Sequence, residues 1–140
     1  MKVRDIMVKD IMTVSPDDTI QKTAQIMQEK DIGIVPVEKD GYLTGIITDR
    51  DITLRCVADG ADCETKKAKD IMSGRIIYIS PEHSVTEAAR VMAREQIRRL
   101  PVCEDGKIVG ILSLGDISRA KNFFSETAAA FCNICEQDPD

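Results

Sequence analysis

Gly45-Ile46-Ile47-Thr48-Asp49-Arg50-Asp51 and Gly110-Ile111-Leu112-Ser113-Leu114-Gly115-Asp116 share one pattern, Gly-apolar-x-Thr/Ser-x-x-Asp, 65 residues apart. Outward from this pair, residues 15–55 lie on 80–120 at the same offset without a gap. Ser15-Pro16 meets Ser80-Pro81, Ala24 meets Ala89, Met27 meets Met92, Pro36-Val37 meets Pro101-Val102, and Asp40-Gly41 meets Asp105-Gly106. The chain is therefore a tandem duplication. Upstream, Lys9-Asp10-Ile11-Met12 reappears as Lys69-Asp70-Ile71-Met72 at an offset of 60, which predicts five extra residues in the second copy, within Ser73–Tyr78. The copies run over 5–58 and 68–121, with a connector at 59–67 and a tail at 122–140.

Each copy reads as helix, hairpin, helix. Ile20, Ala24 and Met27 stand at i, i+4, i+7, and Val85, Ala89 and Met92 repeat that stripe, as an amphipathic helix requires. Thr19 caps the first of these helices, and Ser84-Val85-Thr86-Glu87 has the capping-box pattern for the second. Ile34-Val35-Pro36-Val37 and Leu43-Thr44-Gly45-Ile46-Ile47 flank Asp40-Gly41, and Leu100-Pro101-Val102-Cys103 and Ile108–Leu112 flank Asp105-Gly106. Both are hairpin signals, because Gly tolerates positive φ in a tight turn. A further helix begins near Arg50 or Asp51 and stops at Gly60, with its counterpart starting near Asp116. A short three-stranded sheet with two helices leaves one apolar face, which two copies can bury against each other. The expected fold class is α+β, two such units packed with pseudo-twofold symmetry.

Composition narrows the partners. The chain has 140 residues, 43% hydrophobic and 31% charged, and no apolar run near the roughly 20 residues of a spanning helix. No apolar h-region follows the first residues, so a cytoplasmic location without a membrane is expected. The net charge of −5 is spread along the chain and argues against nucleic acid, which requires a clustered basic surface. Five cysteines, an odd number, favour reduced thiols over a disulfide framework.

The doubled pattern carries the chemistry. Free N–H groups at a strand-to-helix turn favour an anion, and the hydroxyl of Thr48 or Ser113 adds a donor. A carboxylate three residues on, Asp51 or Asp116, suits the vicinal diol of a ribose; alternatively Thr48 and Ser113 cap the helices that Asp51 and Asp116 begin. His83, the sole histidine, lies just after Ser80-Pro81 in a turn without an acid–base partner, so no catalytic chemistry and no cofactor are expected. Cys132-Asn133-Ile134-Cys135 is a lone C-x-x-C, a metal or redox candidate short of the four ligands of a structural zinc. Phe123, Phe124, Ala128–Ala130, Phe131 and Ile134 give the tail an apolar helical face, to pack on its own module or on a partner, and Gln137–Asp140 is expected to fray.

The tandem repeat, the Asp-Ile-Met openings, the Ser-Pro before the first helix, the apolar-Pro-Val strand and the Gly-apolar-x-Thr/Ser-x-x-Asp ending resemble a pair of CBS (cystathionine β-synthase) domains, or Bateman module, over about residues 5–121. Thr48-Asp49-Arg50-Asp51-Ile52 and Gln96–Pro101 are similar to free-standing bacterial CBS-pair proteins. The resemblance implies an adenosine-binding regulatory module (AMP, ADP, ATP or another adenosyl compound), acting as a homodimer on a separate effector protein. It implies sites built across the two copies. One combines Ser113, Gly115 and Asp116 with Ile32, Gly33 and Ile34, and with Arg98 and Arg99 near the phosphates; the other combines Thr48, Arg50 and Asp51 with Ile97, Arg98 or Arg99 and the strand near Ile77. Competing readings are a thiol- or zinc-dependent redox sensor on the same scaffold, with Cys132 and Cys135 as its ligands, and a ligandless dimerisation scaffold.

Overall fold

A computed structural model describes residues 1–120 and 124–137. Helix α1, Ile20–Lys30, starts where the Thr19 side chain accepts the N–H of Lys22, and ends at Asp31 in a left-handed conformation. Strands β1, Ile34–Lys39, and β2, Tyr42–Thr48, form an antiparallel hairpin in which Lys39 faces Tyr42. Its two-residue turn places both Asp40 and Gly41 at positive φ, 53° and 86°, the backbone of a type I′ turn. Helix α2, Asp49–Ile52, widens into a π-helical turn over Thr53–Val57, and Gly60 follows at φ 69°. After the short α3, Ala68–Ile71, the plan repeats with α4, Val85–Glu95, the hairpin of β3, Arg99–Glu104, and β4, Lys107–Ser113, and α5, Leu114–Arg119. Helix α6 covers Phe124–Gln137. The α+β architecture read from the sequence is present, but the third strand of each copy shrinks to a single parallel bridge, Val14 to Val37 and Ile79 to Val102.

The offset of 60 upstream is corrected by the backbone. Lys2 N–H donates to Asp5 Oδ2 at 2.8 Å and Lys67 N–H to Asp70 Oδ2 at 2.9 Å, so Lys2–Met7, not Lys9–Met12, corresponds to Lys67–Met72. That equivalence restores the offset of 65, and the Val14 and Ile79 bridges keep it across the stretch expected to hold an insertion. No extra residues exist; Lys9–Met12 matched by local identity alone.

The leading segments also change sides. By its internal contacts the chain divides into a compact unit of Met12–Ile76, and a second in which Met1–Ile11 joins the chain from Ile77 onward. Residues 5–11 of the first sequence copy thus pack with the second copy's hairpin, and 68–76 with the first's. Backbone pairing explains this exchange. Lys2 bridges Ser84 and Val8 bridges Ile111, while Lys67 bridges Thr19 and Ser73 bridges Ile46.

Each unit has its own core. In the unit of residues 12–76, Val14, Ile20, Ile26, Met27, Val35, Val37, Ile47, Cys56, Ala68 and Ile71 are buried together. Thr23 is buried among them, and its hydroxyl is satisfied by the Thr19 carbonyl at 3.1 Å. The other core joins Val85, Ala89 and Met92 of α4 to Leu100, Val102, Leu112 and Ile117. Ala130 and Ile134 of α6 belong to this core, so the tail packs on its own unit while Phe131 remains 49% exposed. Phe123 and residues 138–140 lie outside the described residues.

The pattern's glycine has a steric reason. A Cβ on Gly45 would lie 2.5 Å from Met72 Sδ and 2.8 Å from its Cγ; one on Gly110 would lie 2.7 Å from Met7 Sδ and 3.0 Å from the Val8 carbonyl oxygen. The methionine of each Asp-Ile-Met opening therefore lies directly on a glycine of β2 or β4. Overpacking of this kind costs about 1–3 kcal/mol. Gly45→Ala should lower the urea midpoint by a corresponding amount, and Met72→Ala should recover part of it; additive effects in the double variant would refute the contact.

Candidate functional site

Where β2 ends, Thr48 is still extended (φ −108°, ψ 163°) and α2 begins at the next residue. Thr48 Oγ1 accepts the Asp51 N–H at 3.1 Å, and Asp51 Oδ2 accepts the Thr48 N–H at 2.9 Å. Ser113 and Asp116 repeat this reciprocal box at 3.0 and 2.8 Å. The capping alternative is therefore what these four residues do locally. It leaves them further capacity, because each hydroxyl accepts and keeps its own proton to donate, and each carboxylate uses only one oxygen in the box. The side chains of Asp51 and Asp116 are 18% and 13% exposed, within reach of a ligand yet largely shielded from bulk water.

The start of each hairpin is tied to the same turn. Asp49 N–H donates to the Gly33 carbonyl at 3.0 Å, and Leu114 N–H to the Arg98 carbonyl at 2.8 Å. Ile34 stands opposite Thr48, and Arg99 opposite Ser113. Within one unit, then, Ile32, Gly33 and Ile34 flank Thr48, Arg50 and Asp51; within the other, Ile97, Arg98 and Arg99 flank Ser113, Gly115 and Asp116. Ile77 also belongs to this second unit.

The apolar members of the expected sites also serve the cores. Ile34 is buried, and Ile32, Ile77 and Ile97 pack against the cores of their units. Ile32, Ile77 and Ile97 are half-buried and keep part of their side chains accessible. Arg50, Arg98 and Arg99 are exposed. A Cβ added at Gly115 would stand 3.4 Å from Arg119 Nη1 and 3.5 Å from the Ser113 hydroxyl oxygen, so this position lies against both side chains.

Two basic residues beside the carboxylates did not stand out in the sequence. Arg119 Nη2 donates to Asp116 Oδ1 at 2.7 Å. Arg55 Nε lies 3.9 Å from Asp51 Oδ1, and its Nη1 donates to the Ile71 carbonyl at 3.0 Å. The available signal was helical spacing, i+3 and i+4 from the aspartates.

His83 is exposed and closes a turn, its Nδ1 accepting from Ser80 N–H at 3.3 Å, with Nε2 3.7 Å from Glu87. Glu87 meets the box at Ser84 only halfway, since Ser84 Oγ accepts the Glu87 N–H but no reciprocal bond returns. Cys132 and Cys135 are exposed on α6, and among the described residues no group of three or more potential metal ligands converges. Burial raises the thiols of Cys56 and Cys103 from 9.0 to about 11, Cys56 with a further contribution from its hydrogen bond with Cys63. None of the described helices is long and apolar enough to cross a membrane.

A duplicated strand-to-helix turn with this box, on two hairpin units, defines a class. The chain belongs to the CBS-domain family, whose model, CBS domain, matches residues 3–57 and 68–122. The CBS domain-containing protein YhcV of Bacillus subtilis is 38% identical over 136 residues, covering 97% of this chain and 96% of that protein. Hypoxic response protein 1 of Mycobacterium tuberculosis is 38% identical over 117 residues, covering 83% and 82%. Its crystal structure, with two coordinated zinc ions, superposes with a TM-score of 0.76 at 37% identity over 85% of this chain and 98% of that one. The CBS domain pair of MJ0100, in complex with 5′-methylthioadenosine and S-adenosyl-L-methionine, gives 0.76 at 30% identity, covering 85% and 94%. CBSX2 in complex with AMP gives 0.72 at 26%, covering 84% and 93%.

The raised thiols set a pH window. Between 9.0 and about 11 the unfolded chain loses protons that the folded chain keeps, so stability falls as pH rises through that range. Urea midpoints measured across it should decline, less steeply in Cys103→Val; an identical slope in that variant would contradict the assignment. At pH 8 iodoacetamide should modify Cys132 and Cys135 well before Cys56 and Cys103, read by peptide mass.

Proposed function

We propose that this chain is a regulatory module that binds adenosine-containing ligands at its two Thr/Ser-x-x-Asp turns and passes the signal to a separate protein. The observation that carries this reading is the repeated box, which presents a largely buried carboxylate and a hydroxyl proton in the same geometry 65 residues apart. A ribose diol donates to such a carboxylate, and the Thr48 or Ser113 hydroxyl can donate to a ligand oxygen. The exposed Arg98 and Arg99 lie beside the Ser113–Asp116 turn, where an anionic group on the ligand would be drawn, and Arg50 lies at the other turn next to Asp49. Relatives with this fold carry AMP, 5′-methylthioadenosine and S-adenosyl-L-methionine, which share only the adenosine portion. No catalytic role is assigned to these residues, because binding needs only acceptors and donors. The resemblance extends to a homodimer, checked by light scattering on the purified chain.

Removing a charged acceptor costs about 1.5–3 kcal/mol, roughly ten- to a hundredfold in affinity. Calorimetry with AMP, ADP and ATP should show that loss in Asp51→Asn or Asp116→Asn, variants that keep the carbonyl oxygen for the box. Binding unchanged in both would rule out these sites. A zinc reading draws on the coordinated ions of hypoxic response protein 1. Native mass spectrometry of the reduced protein separates the two: stoichiometric zinc lost on Cys132→Ser supports the metal reading, and a copurifying adenosine compound supports the nucleotide one.

A further inference from the structure

The two turns are alike in backbone but differ at the atom a ligand hydroxyl would use. At Asp116 both oxygens are engaged, Oδ2 by the Ser113 N–H at 2.8 Å and Oδ1 by Arg119 at 2.7 Å. At Asp51 only Oδ2 is engaged, since Arg55 stands 3.9 Å from Oδ1 and spends a donor on the Ile71 carbonyl. The residue equivalent to Arg119 in the first copy is Leu54, 48% exposed and without a donor. Surrounding charge follows the same division. Arg98, Arg99 and Arg119 accompany Asp116, whereas Asp49 joins Asp51 against Arg50 and Arg55, and the Asp49 carboxylate lies against Gly33, where the other copy has Arg98.

We propose that Arg119 is a specificity-determining residue that makes the Asp116 turn select phosphorylated adenosine ligands over uncharged ones, while the Asp51 turn takes both alike. The inference rests on the adenosine reading above and deepens it. A diol that occupies Asp116 Oδ1 must displace the guanidinium. Arg119 is 73% exposed, so the guanidinium returns to water when it is displaced and displacement is cheap. The freed guanidinium has lost its anion and stays tethered one helical turn from the ligand. A phosphate on that ligand supplies a charge-assisted, bidentate replacement; an uncharged nucleoside supplies none. At the Asp51 turn no hydrogen bond to Oδ1 is displaced, only the longer ion pair with Arg55, and the local charges balance.

Calorimetry with adenosine and AMP in an Asp51→Ala background isolates the Asp116 turn. AMP should bind there about tenfold or more tighter than adenosine, and Arg119→Gln should lower that preference by weakening AMP while leaving adenosine equal or tighter, with Arg98 and Arg99 retaining the remainder. Arg119→Lys should restore part of it, which a merely structural role would not produce. In an Asp116→Ala background, Leu54→Arg should create a preference for AMP at the other turn. An AMP-to-adenosine ratio unchanged by Arg119→Gln overturns the proposal, as does failure of both ligands to bind the Asp51→Ala protein while they bind the unaltered chain. Failure of both to bind the unaltered chain overturns the adenosine reading itself, and this inference with it.

Discussion

The reciprocal hydrogen bonds between Thr48 and Asp51, and between Ser113 and Asp116, hold the end of a strand and the start of a helix in one rigid turn. At each strand end the next N–H, of Asp49 or Leu114, is taken by the carbonyl of Gly33 or Arg98, and the helix beginning there adds donors that lack intrahelical partners. One hydroxyl and one carboxylate satisfy two of these donors at each turn. The same bonds fix the carboxylate's direction, so the element that ends the hairpin also aims the acceptor left over. Helices α2 and α5 are four and six residues long, too short for propensity to hold them, and depend on the box and on packing against their units.

A second constraint operates through Gly45 and Gly110. The segment that opens each sequence copy crosses the strand of the opposite hairpin at a glycine, with Met72 or Met7 seated where a side chain would otherwise stand. Lys67 and Lys2 pair with the residues that cap α1 and α4, Thr19 and Ser84. Each compact unit thereby contains pieces of both copies. A single copy would leave its leading segment without a strand to pair with and its glycine uncovered, which is a physical reason for the duplication.

The copies have diverged where a ligand would be recognised and not where the backbone turns. Gly33 and Ile34 stand where Arg98 and Arg99 do, Leu54 stands where Arg119 does, and Asp49 stands where Leu114 does. Each difference alters charge or burial beside a carboxylate without touching the box. Helix α6 follows the second copy alone and places Ala130 and Ile134 in that unit's core.

Much of the fold was legible in the sequence because its signals are local. The spacing of Ile20 and Met27, the Asp-Gly turns and the Thr/Ser-x-x-Asp boxes depend on residues within a few positions of one another, where helix period and positive φ act directly. The family resemblance was legible for the same reason, since its motifs are the turn chemistry itself. Lys9–Met12 misled because identity over four residues carries no information about pairing; Lys2, Asp5, Ile6 and Met7 match Lys67, Asp70, Ile71 and Met72 as well at the offset of 65, and the hydrogen bonds of Lys2 and Lys67 decide between the two alignments. The tail's apolar face was visible, but which surface it covers was not. The commitment of Ile34 to the core, the closing of Arg119 onto Asp116 and the distance of Arg55 from Asp51 likewise depend on rotamers and on neighbours brought close by the chain's return. Sequence by itself determined the duplication, the elements and the acceptor at each turn, because these follow from local spacing. Tertiary structure alone decided which acceptor oxygen is free, because that depends on where side chains from successive helical turns and distant segments come to rest.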